Sequence, residues 1–466
     1  MNLSVGPPLP FSEIFFAPPP AGVRQNALML NWIWLGLVLA AVILGGFNGQ
    51  LDAVTKAAFK SCETAVVNIA IPYIGLIALW LGVMRLAEKA GLIDVLARAL
   101  RPLMIRLFPE VPPTHPAMGS MLMNMAANML GLGNAATPLG LRAMQDLEKL
   151  NPRPGVATNA MCTFLAINTS SIQLVPASTV AYMAAAGAKN PTAIIGTAFL
   201  ATLSSTIVAI IIVKLLERLP AYRLAPIAVP VEKLPASETD DALPVQTRLP
   251  LAKWAYPILL IFFGLFVWFA VEAVRRSAPT TPTGFFVAMV QAISLLAVPF
   301  LLSFFPLYAA LKHIPVYEEF VEGAKEGFHV AIRIIPYLIA ILVAVGMFRE
   351  AGGIRMISDA LGPLLSAIGF PVELLPLVFM RPLSGAGSNG IFNELIQMGG
   401  PAGGPDSIIS RMAGSIMGSS ETTFYVLAVY FGSVAIRRTR HAVPAGLLAD
   451  LTGVIAAIVI CRMVFQ

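Results

Sequence analysis

The feature that most constrains this sequence is the recurrence of apolar runs about 20 residues long, the length a helix needs to cross the hydrocarbon core of a bilayer. They lie near residues 27–47, 66–86, 157–187, 191–214, 254–274, 285–311, 329–349, 410–434 and 442–464. Lipid offers no hydrogen-bond partner to a backbone N–H or C=O, so each run is expected to be helical. The implied fold class is an all-α polytopic membrane protein. Composition agrees: 12% of the residues are charged, against about 25% in a soluble domain.

Not every apolar segment suits a simple span. Residues 112–141 and 371–399 carry Gly and Pro near their middles, which would strand backbone polar groups in lipid; both are expected to be re-entrant hairpins supported by neighbouring protein. The run 157–187 contains Asn168–Thr169–Ser170–Ser171 and is long enough to break. Residues 88–106 read as an amphipathic surface helix, with Asp94 and Arg98 paired and Leu92, Val95, Leu96 and Leu103 facing the bilayer. The first residues, 1–27, read as an extramembrane arm, and the Pro-rich polar stretch 220–251 as a linker between two halves.

With nine crossings, 21 of the 31 Lys and Arg collect on the face of the N-terminus. Positive charge favours the cytoplasm, so the expected topology has the N-terminus inside a plasma (bacterial inner) membrane and the C-terminus outside.

The halves repeat each other. Ile71–Pro72–Tyr73, Gly82 and Arg85 answer Ile335–Pro336–Tyr337, Gly346 and Arg349; Ala90–Gly91 answers Ala351–Gly352, and Pro102 answers Pro363. Gly131 and Gly133 answer Gly385 and Gly387, and Asn168–Ser171 answers Gly418–Glu421. The first span matches 285–311 after an odd number of crossings, which makes the copies inverted, and 254–274 has no counterpart. Inverted repeats with broken elements near the midplane recur among transporters.

Three places could carry chemistry. The first hairpin holds Asn128 and Asn134 beside Gly131 and Gly133; amides offer donors and acceptors to a neutral polar solute or an ion, or simply cap broken helices. The second hairpin holds Arg381, Ser384 and Asn389. A cation there is costly unless it meets water or an acid, and Glu394 and Glu421 are the candidate acids. The third is Gly418–Ser419–Ser420–Glu421–Thr422–Thr423, six small or polar residues inside an apolar run. Its carboxylate fits a ligand, ion or proton role, or a structural pair with Arg381. The first-half equivalents, Asn168, Thr169, Ser170 and Gln173, are uncharged, so the substrate or ion site would have a neutral half and a charged half. Asp450 in the last span reads as a helix–helix hydrogen-bonding residue or a proton carrier, its counterpart being Thr202.

Cys62, Cys162 and Cys461 stand far apart, and the four His have no metal-ligand spacing. The sequence contains no phosphate-binding loop, zinc-protease motif or nucleophile elbow. The expectation is therefore no enzyme, no metal and no cofactor beyond a coupling ion, H+ or Na+. The basic residues sit in short loops rather than on one face, so no nucleic-acid partner is expected. Partners are the lipid bilayer and a small polar solute, and a homo-oligomer stays open. The rival to a transporter is a non-transporting membrane scaffold or regulator of envelope or spore-type maturation.

Asn128–Met–Leu–Gly131–Leu–Gly133–Asn134–Ala–Ala–Thr137–Pro138–Leu–Gly140 resembles the signature of the spore maturation protein A family. Met380–Arg381–Pro382–Leu–Ser384–Gly385, Gly418–Ser419–Ser420–Glu421–Thr422–Thr423–Phe424–Tyr425–Val426 and Tyr430–Phe–Gly432–Ser433 with Arg437–Arg438–Thr439–Arg440–His441 resemble the spore maturation protein B family. The resemblance implies an A-like gate repeat at 28–219 and a B-like gate repeat at 252–466, fused through the linker. Both families are classed with the nucleoside-recognition, or gate, domain, similar to portions of concentrative nucleoside transporters and ferrous-iron permeases. That class implies hairpins and broken helices meeting at a central site, and it assigns no binding residues.

Overall fold

Glycine and proline set where the helices of this chain stop. In the computed structural model the described residues are 21–131, 133–170, 172–224, 251–277, 279, 281–367, 369–397 and 403–465. The expected arm thus lies largely, and the linker mostly, outside them.

The first half begins with α1 (Ala21–Phe47), then α2 (Leu51–Glu63), which runs through a π-helical turn at Thr64–Ala70 into α3 (Ile71–Lys89). α4 (Leu92–Leu107), α5 (Pro116–Met129), α6 (Gly133–Lys149), α7 (Asn159–Ser170), α8 (Ala177–Ala185) and α9 (Ile194–Leu216) follow. The second half has α10 (Ala255–Arg276), α11 (Pro282–Leu311), α12 (Val316–Glu350), α13 (Gly353–Ala367), α14 (Leu375–Met380), α15 (Gly385–Gln397), α16 (Ile408–Met417), α17 (Thr423–Ser433) and α18 (Ala442–Phe465). Among the described residues there is no strand beyond an isolated bridge, Val156 to Arg438. Leu51–Lys89, Pro191–Leu216, Ala255–Arg276, Pro282–Leu311 and Ala442–Phe465 are long and apolar enough to cross a membrane. The protein is an all-α polytopic membrane protein.

Two expectations change in detail. The span at 66–86 is the end of a longer helical stretch that starts at Leu51, and the one at 329–349 is the end of α12. On α4, Leu92 is buried rather than turned outward, while Val95 and Leu103 are exposed as expected. Arg98 Nε donates to the Asp94 carbonyl at 3.3 Å.

Small residues bring the long helices α3 and α12 into close contact. A Cβ placed on Gly327 would fall 2.5 Å from Ala78 Cα, and one on Gly82 would fall 2.7 Å from the Phe320 ring. Without a hydrophobic drive between helices in lipid, such close backbone approach supplies the packing energy. Gly346, the sequence match of Gly82, packs elsewhere: its Cβ would fall 2.5 Å from Ser61 Oγ on α2. Arg85 closes the crossing through Glu319 at 2.7 Å. The matching glycines Gly91 and Gly352 both adopt positive φ, +76° and +89°, after their helices, as a left-handed cap requires.

The core joins the halves. Tyr73 of α3 stacks on Tyr182 of α8 at 4.2 Å, and Tyr182 meets the edge of Phe392 of α15 at 6.4 Å. At one end the backbone N–H groups of Arg437 and Arg438 donate to the Gly155 carbonyl at 2.9 and 3.0 Å. Arg440 there bonds the Ala157 carbonyl and Asn159 Oδ1 at 3.0 and 2.9 Å. By contrast α10, the span without a counterpart, lies outside this core. It packs on α11 through Phe262 and Phe266, with Phe266 5.2 Å from Phe300, and leaves Leu260, Ile261 and Trp268 exposed.

Candidate functional site

Both segments expected as hairpins fold as two helices joined by a break. α5 and α6 form the first, turning at Gly131, whose φ of +76° suits glycine. α14 and α15 form the second, broken at Arg381–Ser384; positions 398 and 399 of that segment lie outside the described residues. The two apolar runs with polar interruptions are broken as well. α7 and α8 part over the described residues 172–176, and α16 and α17 part at Gly418–Thr422.

The breaks and hairpins meet, and the same backbone bond does it in each half. Leu174, just after the first break, donates its N–H to the Met129 carbonyl at the first hairpin turn, 3.0 Å. Phe424, just after the second break, donates to the Pro382 carbonyl of the second hairpin, 3.0 Å. A carbonyl at a helix end has no partner in its own helix, and in lipid it must find one elsewhere. The halves are then tied across: the Glu421 N–H donates to the Thr169 carbonyl at 2.7 Å, and Gln173 Nε2 donates to Glu421 Oε1 at 2.9 Å.

Arg381, 7% exposed, sits over the second break. Its Nη2 donates to the Met417 carbonyl at 2.9 Å and to the Ser420 carbonyl, and its Nε reaches Ser420 Oγ at 3.4 Å. The guanidinium therefore satisfies carbonyls released by the broken helix. Glu394 is not its partner: that carboxylate accepts from Arg349 at 3.0 Å. Glu421 is half-buried and within electrostatic reach of Arg381.

The other expected residues divide. Ser419 Oγ bonds the Ile416 carbonyl at 3.0 Å, and Thr422, at the N-terminal cap of α17, lies over Gly385, whose Cβ would be 3.1 Å from Thr422 Oγ1. Asn128 Nδ2 donates to Asn168 Oδ1 at 2.9 Å, and Asn168 Nδ2 to the Phe164 carbonyl at 2.9 Å. That pair borders a void of about 20 Å³ with Met125 and Ile167, room for about one water. Ser170 is held by Thr202 at its carbonyl, 2.7 Å, and by Thr206 at its hydroxyl, 3.0 Å. Ser384 caps α15 by accepting from the Gly387 N–H at 3.0 Å. Asn389 lies within α15, where its carbonyl accepts from Asn393 at 2.7 Å. The side chain of Asn134 and all of Ser171 lie outside the described residues.

Sequence reasoning missed two features, the reach of Tyr430 and a polar cavity. Tyr430 of α17 reaches into the first hairpin, where Asn124 Nδ2 donates to its hydroxyl at 3.3 Å, and Gly140 leaves room for the ring; an aromatic after a helix break was the available signal. Asp450, expected as a helix–helix hydrogen-bonding residue or a proton carrier, joins the junction through Thr423, which donates to its Oδ2. A polar cavity of about 400 Å³ opens between α2, α12 and α15, lined by Lys56, Lys60, Ser61, Thr64, Arg349 and Glu394 among others. Its residues come from three distant segments with no common motif.

The Gate family, described as nucleoside recognition, matches residues 70–221 and 331–437, more than half of the chain and both of the segments that build this junction. The chain belongs to that family. It is also similar to two proteins of Bacillus subtilis (strain 168), each matching a different half. Spore maturation protein A is 46% identical over 184 residues, 40% of this chain and 93% of that protein. Spore maturation protein B is 45% identical over 177 residues, 38% of this chain and 97% of that protein. The gate family thus occurs here in two copies on one chain, and the hairpin–break contact described above is present in each.

Proposed function

We propose that this membrane protein is a secondary transporter or permease of a small polar solute, bound where the two gate copies meet. The copies are inverted about the membrane plane. The hairpins α5–α6 and α14–α15 gate the site, and Glu421 couples it to H+ or Na+. The observation that carries this reading is the convergence of two helix breaks and two hairpin turns on Arg381, Glu421, Gln173 and Thr169. Broken backbone at membrane depth recurs at transport sites because it presents peptide groups and helix ends to a solute. The family description points to nucleoside-like solutes among polar metabolites. The chain works without covalent chemistry, and the Lys/Arg asymmetry puts its N-terminus on the cytoplasmic side of the plasma membrane.

The test is uptake into proteoliposomes of purified protein, with radiolabelled nucleosides first and then a panel of small polar metabolites. Glu421→Gln keeps the acceptor for Gln173 and is expected to fold with near-native melting while losing uptake. Wild-type uptake in that variant removes Glu421 from the mechanism.

One observation favours a second reading, a membrane scaffold serving envelope or spore-type maturation. Arg381 is bonded to the carbonyls of the α16–α17 break, as a purely structural brace would be, and both relatives carry the name spore maturation. On that reading no solute is taken up, and Glu421→Gln leaves complementation of a deletion strain intact.

A further inference from the structure

The junction holds one guanidinium and two carboxylates, and the second carboxylate is the less well provided for. Asp450 on α18 is 5% exposed. Thr423 donates to its Oδ2, while Oδ1 is buried and receives no hydrogen bond. The charged groups that reach it are Arg381 and Glu421. The other elements packed against α18 bring hydroxyls to this level: Thr169 of α7, Ser205 of α9, which donates to the neighbouring Ala449 carbonyl at 2.8 Å, and Ser419 beside Gly453. α11 contributes no charged residue anywhere along its length.

Charge and hydrogen-bond accounting then differ for the two acids. Glu421 is half-buried, accepts the Gln173 amide and lies near Arg381, so its anion has both a donor and a counter-charge. If Asp450 were also an anion, the junction would carry an excess negative charge, with a bare carboxylate oxygen where no water reaches it. Burial opposes that form far more strongly than a neutral group. A neutral Asp450 can give its proton to Thr423 Oγ1 and leaves only a carbonyl oxygen unmet.

We propose that Asp450 is a proton-binding site of the junction: it carries an exchangeable proton beside the charged Arg381 and Glu421, which leaves the buried cluster neutral. The site is separate from Glu421, and its occupancy does not depend on the protein being a transporter. Within the transport reading, Asp450 is a second titratable group of the junction, beside the coupling residue Glu421.

The test needs no substrate. Dicyclohexylcarbodiimide partitions into apolar sites and adds protonated carboxyls across its C=N bond. Membrane vesicles containing the full chain are treated at a series of pH values, and the adducts are mapped by peptide mass spectrometry. The expected result is an adduct on Asp450 and none on Glu421, declining as pH rises and lost in Asp450→Asn. Asp450→Asn, which resembles the protonated acid, is expected to melt at or above the wild-type temperature. An unlabelled Asp450 in the wild type overturns the proposal. So does full protection by Na+ at constant pH, which would make the site a metal-cation site. A fall in the melting temperature of Asp450→Asn would show that the anion is required and overturn it as well. Labelling of the wild type decides the matter even where the variant fails to accumulate. Uptake by Asp450→Asn that no longer responds to a pH gradient would place the proton in transport; absence of any uptake leaves the labelling result standing.

Discussion

The two helix breaks share a backbone and differ in charge. After each, an N–H reaches back to a hairpin carbonyl, Leu174 to Met129 and Phe424 to Pro382, both at 3.0 Å. Around the first, the released groups are met by neutral side chains: Asn128 on Asn168, and Thr202 and Thr206 on Ser170. Around the second, a buried arginine meets them, with Glu421 and Asp450 close by. The lesson is that one fold element can be closed with hydroxyls and amides or with ions. The ionic version brings charges that can respond to a proton or a ligand, and the neutral version brings rigidity.

The sharpest way to break this comparison is to remove the central group on each side. Arg381→Ala strips the Met417 and Ser420 carbonyls of their donor and Glu421 of its counter-charge; removing one partner of a buried charged set costs about 3–5 kcal/mol. Asn168→Ala removes a neutral buried hydrogen-bonding pair, worth about 1–3 kcal/mol. Thermal unfolding of both variants in detergent checks the ranking, and equal losses would erase the distinction between the breaks.

A smaller effect probes how tightly the second break is seated on the first. A Cβ on Gly418 would fall 2.9 Å from both Ala198 Cβ and Pro176 Cβ. Gly418→Val is therefore expected to cost about 1–3 kcal/mol by overpacking. A Cβ on Gly131 would meet the Val175 carbonyl oxygen at an ordinary contact distance of 3.6 Å, so Gly131→Ala carries only the strain of its left-handed backbone, about 1–2 kcal/mol. Melting temperatures of the pair separate steric from conformational cost.

A last effect is a pH dependence carried by a histidine of the second half. His441, just ahead of α18, is buried with neither ring nitrogen hydrogen-bonded. Burial first, and then the positive Arg440 and Lys214, push its imidazole down to about 4 from the usual 6.5. The folded protein keeps it neutral while the unfolded chain protonates, so stability falls as pH drops from about 6.5 toward 4. Ala193 holds the matching place ahead of α9. His441→Gln should flatten the change in melting temperature across that window, and an unchanged slope would assign it to other groups.

Much of this architecture is legible in the chain, because lipid leaves few choices. Gly131 with Gly133, and Gly385 with Gly387, mark two hairpins that form, since a glycine-rich stretch inside an apolar segment must turn. Asn168–Ser170 and Gly418–Thr422 mark two breaks that form next to each other. The individual partners were less legible. Ser384 and Asn389 carry polar side chains in a polar motif, yet one caps its own helix and the other belongs to the run of α15. Residue type alone does not separate a cap from a binding group, because both need the same donors and acceptors.

The sequence by itself determined the solvent, the helical class and the points where helices must break through one requirement, that backbone polar groups in hydrocarbon find partners within the protein, and it showed the two related halves through residues that recur in the same order. The tertiary structure decided who those partners are. Arg381 went to carbonyls rather than to an acid, Glu394 went to Arg349, and Asp450 entered the junction. Those pairings depend on where helices far apart in the chain cross. The crossing is set by small residues such as Gly82, Gly323 and Gly327, whose contacts lie more than 200 positions away.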